Sequence, residues 1–272
     1  ENKLFSVAFK TPPTDDTGIF HILEHSVLGG SEKYPVKEPF LELMKGTMNT
    51  FLNAMTYPDK TVFPVSSRND TDFMNLTRVY LDAVFAPAIY YNPNIFYQEG
   101  WHIEMRSSSD TPVYKGVVFN EMKGAMSSVY SRMESDMMNV LYPDSCYRFE
   151  SGGLPEAIPD LSYEQFIQGH RTYYHPSNAY IYLDGPVKID AVLELIDSEY
   201  LSRYDKREVE NDIPVQAIIA PTVKKNYYEI SPDEEETNHT YYVIGKVLGS
   251  WQDRERITAA SVLGEALTGS ND

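Results

Sequence analysis

The stretch His21-Ile22-Leu23-Glu24-His25 constrains this chain more than any other. It lies within residues 19–28, a run that reads as a helix, with Thr17 as a candidate cap and Gly29-Gly30 as the stop. On a helix, His21 and His25 are one turn apart and face the same way. Ile22, Leu23, Val27 and Leu28 supply apolar packing, and the polar trio is set into one turn among them. Two neighbouring imidazoles in low dielectric repel once either is protonated. A metal ion held between them removes the conflict, and Glu24 is then close enough to hydrogen-bond a metal-bound water. The competing reading is a pair of satisfied histidines on a buried helix face, with Glu24 on the surface.

A catalytic zinc takes three protein ligands and leaves a fourth position for water. The order of the motif inverts the better-known His-Glu-x-x-His arrangement. The chain has one cysteine, Cys146, and six histidines, none of the others in an obvious partner position. The third ligand therefore falls to the carboxylates, and Glu121 stands out within Gly116-Val117-Val118-Phe119-Asn120-Glu121-Met122. A carboxylate in such an apolar stretch is penalised by desolvation unless it is paired or liganding. An ordinary glutamate on the solvated side of a helix fits the bare sequence equally well.

One cysteine excludes an internal disulfide and a thiolate metal cluster. Lys and Arg total 23 against 40 Asp and Glu, a net charge of -17, which argues against a nucleic-acid partner. No apolar run is long enough to span a bilayer, so no membrane partner is expected. Glu1-Asn2-Lys3 lacks the basic start of a signal peptide. The first residue is not Met, and the chain stops just past a helical pattern, so the sequence reads as a fragment at both ends.

Strands are expected at 4–9, 49–54, 61–65 and 178–183, and helices at 39–45, 70–85, 117–141 and 189–201. A further helix over 162–173 opens with Ser162 and Gln165 in capping-box spacing. The methionines of 117–141 recur at helical spacing and read as core packing. The character changes near Tyr204, where a charged run precedes Pro214 and Pro221 as in an inter-domain linker. Beyond it, 225–230 and 240–248 read as strands and 253–267 as a helix. His170 and His239 have a plain surface reading, Ser151-Gly152-Gly153 reads as a turn, and Glu234-Glu235-Glu236 as a solvated loop.

Several blocks, in order, carry a resemblance. They are Thr17 to Leu28 around the histidines, Thr50-Phe51-Leu52-Asn53-Ala54-Met55-Thr56-Tyr57-Pro58-Asp59, Tyr80-Leu81-Asp82-Ala83-Val84-Phe85, Gln98-Glu99-Gly100-Trp101-His102, Gly116 to Gly124 around Glu121, Ser151-Gly152-Gly153 and Tyr174-His175-Pro176-Ser177-Asn178-Ala179. Together they resemble the inverzincin metallopeptidases of the insulinase superfamily (M16). The branch is that of the presequence proteases and falcilysin, subfamily C of that group, and the chain resembles an N-terminal catalytic fragment of such an enzyme. The resemblance implies that His21, His25 and Glu121 bind one Zn2+ per catalytic domain and that Glu24 is the general base. Glu99 then supports His25 or Glu121, and Asn53 and Ala54 hold the substrate backbone. It implies an α+β, two-layer fold of the LuxS/mitochondrial-processing-peptidase-like type, a mostly antiparallel sheet packed against helices.

The same resemblance divides the chain into a catalytic domain over 1–204 lacking its first strand, a linker over 205–223 and the truncated start of a second homologous domain over 224–272. The implied function is a zinc-dependent metalloendopeptidase acting on peptides and unfolded polypeptides. The C-terminal half of the same full-length chain is the implied partner. The alternative is a non-catalytic processing or assembly subunit, or a binding domain, of the same fold. A bacterial cytoplasm is the expected location, with a mitochondrial or plastid matrix as the alternative.

Overall fold

Alternation along Lys3–Lys10 (β1) puts Phe5, Val7 and Phe9 on one face, all fully buried. Lys60–Ser67 (β4) pairs antiparallel with β1 and adds Phe63 and Val65 to the same face. The structure, a computed structural model, describes residues 1–36, 39–230, 233, 235 and 237–269. Asn49–Leu52 (β2) and Met55–Thr56 (β3) both pair with β4, and Ala179–Asp184 (β7) pairs with β1. The sheet order is β2-β4-β1-β7, with β3 continuing the β2 edge beside β4. His102–Glu104 (β5) and Val113–Lys115 (β6) form a separate antiparallel hairpin.

Helices cover the apolar face. Asp70–Phe85 (α3) spans the residues predicted for it; Asn69 caps it by accepting the Asp72 amide at 3.0 Å. It packs Phe73, Leu76, Tyr80 and Val84 into the core formed with β1 and β4. Ile19–Val27 (α1) adds Ile22, Leu23 and Val27 to that core, and Asn94–Glu99 (α4) adds Phe96. Tyr163–Tyr173 (α7) carries the predicted capping box between Ser162 and Gln165. Pro39–Gly46 (α2) and Ile189–Glu199 (α8) lie close to their expected spans. The expected mixed fold, an antiparallel sheet packed on helices, is therefore the observed one.

Four local expectations are corrected. Thr17 does not cap α1: its hydroxyl donates to Asp15 at 2.6 Å, and the cap position is Gly18 at φ +67°. The helix predicted over 117–141 is broken into Val117–Ala125 (α5) and Val129–Leu141 (α6). Ser128 sits at the break and caps α6 through the Ser131 amide, the role serine prefers over a helix interior. Residues 225–230 and 240–248 form no strand among the described residues; Arg254–Thr268 (α9) does form. Their alternating apolar side chains, Tyr227, Tyr242 and Ile244 among them, stand exposed, and alternation without a partner strand does not make a sheet. Glu234 and Glu236 lie outside the described residues.

The fourth correction is His170, which is buried rather than on the surface. Its Nε2–H donates to the Val84 carbonyl at 3.0 Å and its Nδ1 accepts from Tyr90 at 2.7 Å. That pattern needs a neutral ring. Burial, only partly opposed by the bond to the Val84 carbonyl, pushes its pKa down to about 3. His239 is half-buried. No helix among the described residues is long and apolar enough to cross a membrane.

A depressed histidine pKa means that the unfolded chain takes up a proton between about pH 6.5 and 3 and the folded chain does not. Its stabilising contribution is complete above the unfolded pKa and is lost as pH falls through that window. By pH 5 the loss is about 2 kcal/mol. Urea denaturation at pH 7.5 and pH 5 is expected to show this loss, and His170→Gln, which cannot titrate, is expected to remove that share of it.

Candidate metal centre

α1 sets the His21 and His25 rings side by side, with centroids 5.0 Å apart. Each ring has its Nδ1 engaged. His21 Nδ1 lies 3.0 Å from the Gly152 carbonyl, an acceptor only, so it must donate its proton there. His25 Nδ1 lies 3.4 Å from Glu99 Oε2. With the proton on Nδ1, each Nε2 presents a lone pair. Both Nε2 atoms face Glu121, at 3.8 Å from Oε1 for His21 and 3.7 Å from Oε2 for His25. The three donor atoms lie within 4.8 Å of one another. Ligands about 2 Å from a shared ion stand at most about 4 Å apart, which the 3.8 and 3.7 Å separations meet and the outer bound of 4.8 Å exceeds by less than about 1 Å.

Two glycine contacts bring these groups together. A Cβ on Gly18 would stand 2.6 Å from the Gly152 oxygen, the acceptor for His21. Gly18 is also in the left-handed region, so no other residue suits the position. Gly116, at φ +151°, lies against Gly100; a Cβ there would stand 2.0 Å from the Gly100 oxygen. That approach draws α5, which carries Glu121, against the end of α4, which carries Glu99. Both carboxylates thereby reach His25.

The field of the site favours positive charge. Burial opposes protonation of His25, but the bond to Glu99 and the charges of Glu24, Glu99 and Glu121 together outweigh it and hold its pKa above the ordinary value. Glu24 is buried, and its Oε2 accepts the Thr56 hydroxyl at 2.6 Å. His21 is also buried, His25 and Glu99 are partly covered, and Glu121 is the exposed member. Cys146 is half-buried, and burial pushes its thiol pKa up, away from a nucleophile.

The structure thus brings together His21, His25, Glu121, Glu99 and Glu24. Asn53 and Ala54 stand on the sheet edge between β2 and β3. Asn53 Oδ1 accepts the Ala54 amide at 3.0 Å, so this side chain is turned onto its own backbone. Two groups escaped sequence reasoning. The Gly152 carbonyl belongs to a motif block read as a turn with no site role, and a main-chain acceptor leaves no residue-type signal. Thr56 lies within a motif block, but its link to Glu24 depends on how β3 docks against α1.

The sequence profile described as "Peptidase M16 inactive domain" matches residues 160–271. That finding overturns the expectation of an N-terminal catalytic fragment: the matched domain type is the one designated inactive, and the match begins beyond all of the candidate site residues. Protein HypA of Clostridium perfringens is 48% identical over 271 residues, covering 99% of this chain and 28% of the relative. Presequence protease 1, chloroplastic/mitochondrial, of Arabidopsis thaliana is 54% identical over 208 residues, covering 75% of this chain and 19% of the relative. The chain thus spans between about a fifth and somewhat over a quarter of the length of these curated relatives. A solved protease from Helicobacter pylori superposes with a TM-score of 0.61 at 17% identity, over 79% of this chain and 48% of that one. The fold of the chain is that of the M16, mitochondrial-processing-peptidase-like peptidases.

Proposed function

We propose that this chain supplies the metal site of a zinc-dependent metalloendopeptidase acting on peptides and unstructured polypeptides. One observation carries the reading: two Nε2 atoms and the Glu121 carboxylate converge, with both Nδ1 atoms committed elsewhere and a buried glutamate alongside. A His-His-Glu donor set suits a catalytic zinc, which keeps one position open. When bound there, zinc supplies a Lewis acid that polarises a carbonyl and acidifies water.

The remaining chemistry belongs to the chain. Glu24 takes the proton from the attacking water and returns it to the leaving amine. Gly152 and Glu99 hold the imidazoles in the liganding tautomer. The β2–β3 edge, with Asn53 and Ala54, receives the substrate backbone by strand addition. Relatives named presequence proteases support targeting peptides as the substrate class, and an acidic chain favours basic peptides. A domain boundary near residue 204, with 205–223 as linker and 224–272 in a second unit, is supported by the lack of helix or strand among the described residues from 205 to 253. The rest of the full-length chain, of which the much longer relatives give the measure and the C-terminal half is the expected part, is the partner under this reading. The bacterial cytoplasm is retained as the location, with an organellar matrix as alternative.

A second reading is a non-catalytic subunit or binding domain of the same fold, favoured by the inactive-domain profile match. A quenched-peptide assay on the full-length protein separates the two. Activity lost to a chelator and restored by zinc is expected; zinc binding without turnover selects the second reading. Glu24→Gln is expected to keep its zinc and lose turnover by about 10²- to 10⁴-fold. His21→Ala and His25→Ala are expected to lose both, as read by metal analysis.

Glu99→Gln tests the support given to His25. Its expected effect is a zinc affinity weakened by about 10- to 100-fold with the fold unchanged, measured by competition with a chromogenic chelator and by circular dichroism. Unaltered affinity assigns Glu99 no part in the site.

A further inference from the structure

We infer that Thr56 is the positioning residue for Glu24, coupling the sheet edge to the general base; this rests on the peptidase reading above. The Thr56 hydroxyl lies 2.6 Å from Glu24 Oε2 and 3.4 Å from the Phe20 carbonyl, one turn earlier on α1. It has a single proton, and the charged, closer carboxylate is the stronger acceptor. Engaging Oε2 leaves Oε1 as the oxygen available to a water. A glutamate side chain has three free torsions, and a base must hold its reacting oxygen in line to be effective. A threonine hydroxyl is suited to impose that geometry because β-branching limits its own χ1.

Thr56 is itself firmly placed. It ends β3 and pairs with Thr61 of β4, and Tyr57 N–H donates to the Lys60 carbonyl to close the hairpin. The hairpin tip is tied from two sides. Tyr147 donates to Asp59 Oδ2 at 2.8 Å, and the Thr11 amide donates to the Asp59 carbonyl at 2.9 Å. Thr61 in turn shares a buried hydroxyl bond with Thr11 at 2.9 Å. The donor that reaches Glu24 thus stands on a braced hairpin, two residues beyond the Asn53-Ala54 step. A peptide laid along that edge and the carboxylate that activates water are held by one short piece of backbone.

Thr56→Val removes the hydroxyl with little change of shape, and Thr56→Ser restores it. In the zinc-loaded full-length protein, Thr56→Val is expected to lower kcat by about 10- to 100-fold with KM and zinc affinity unchanged. Thr56→Ser is expected to recover most of that loss. Wild-type kcat in Thr56→Val, a loss confined to KM, or no recovery in Thr56→Ser overturns the assignment. Failure of the peptidase reading shows separately, as a wild-type protein without turnover. Crystal structures of zinc-loaded wild type and Thr56→Val then decide the positioning role alone. A Glu24 carboxylate that leaves its wild-type orientation in the variant supports it, and an unmoved one refutes it.

Discussion

Two imidazoles on one helical turn, both inside protein, have to dispose of two ring protons without repelling each other. Here each Nδ1 is given a fixed partner, the Gly152 carbonyl for His21 and the Glu99 carboxylate for His25. Everything else about the centre depends on that division. It makes the two Nε2 atoms acceptors facing one point, and it makes Glu121 opposite them a third donor rather than a stray surface acid. The elements that bear these partners lie far apart in sequence and are brought together by helix packing around α1, which touches α4, α5 and α7.

Charge and burial cooperate in the same place. Three glutamates act on two histidines, and the partial burial of His25 and Glu99 strengthens that pair, while Glu121 acts from the exposed side. Such a site is short of positive charge. A divalent cation supplies it, whereas a mere pair of core histidines requires no such surplus of acid. His170 shows the contrast within the same chain: it is fully enclosed, bonded to a carbonyl and a phenol, and kept neutral, its only charged influence among the described residues being Arg171.

What the sequence reveals follows interaction range. The span of α3, the Ser162–Gln165 capping box and the alternating strands of the sheet are set by neighbours a few residues apart, and all are legible. The break after Met126 was hidden because methionine periodicity runs straight through Ser127 and Ser128, while the capping preference that decides the matter is local to Ser128. The burial of His170 depends on Tyr90 and Val84, about eighty positions away. The absent strands near residues 227 and 244 have the right alternation, but alternation describes only one side of a ladder. At the site, the motif residues announced themselves by type and spacing. Gly152 did not, because it acts through its carbonyl, and neither did Thr56, because hydroxyl groups are common on strands.

The close approaches of Gly18 to Gly152 and of Gly116 to Gly100 are contacts of main chain with main chain. No rotamer lies between them, so the separation of the backbone segments that carry Gly152, Glu99 and Glu121 has no adjustable part. Side-chain contacts elsewhere in a core can drift and be repaired by a neighbour of different size; these cannot. The two glycine contacts act as rigid gauge blocks that fix the backbone frame, and only the side-chain torsions of the candidate ligands are left to adjust within it.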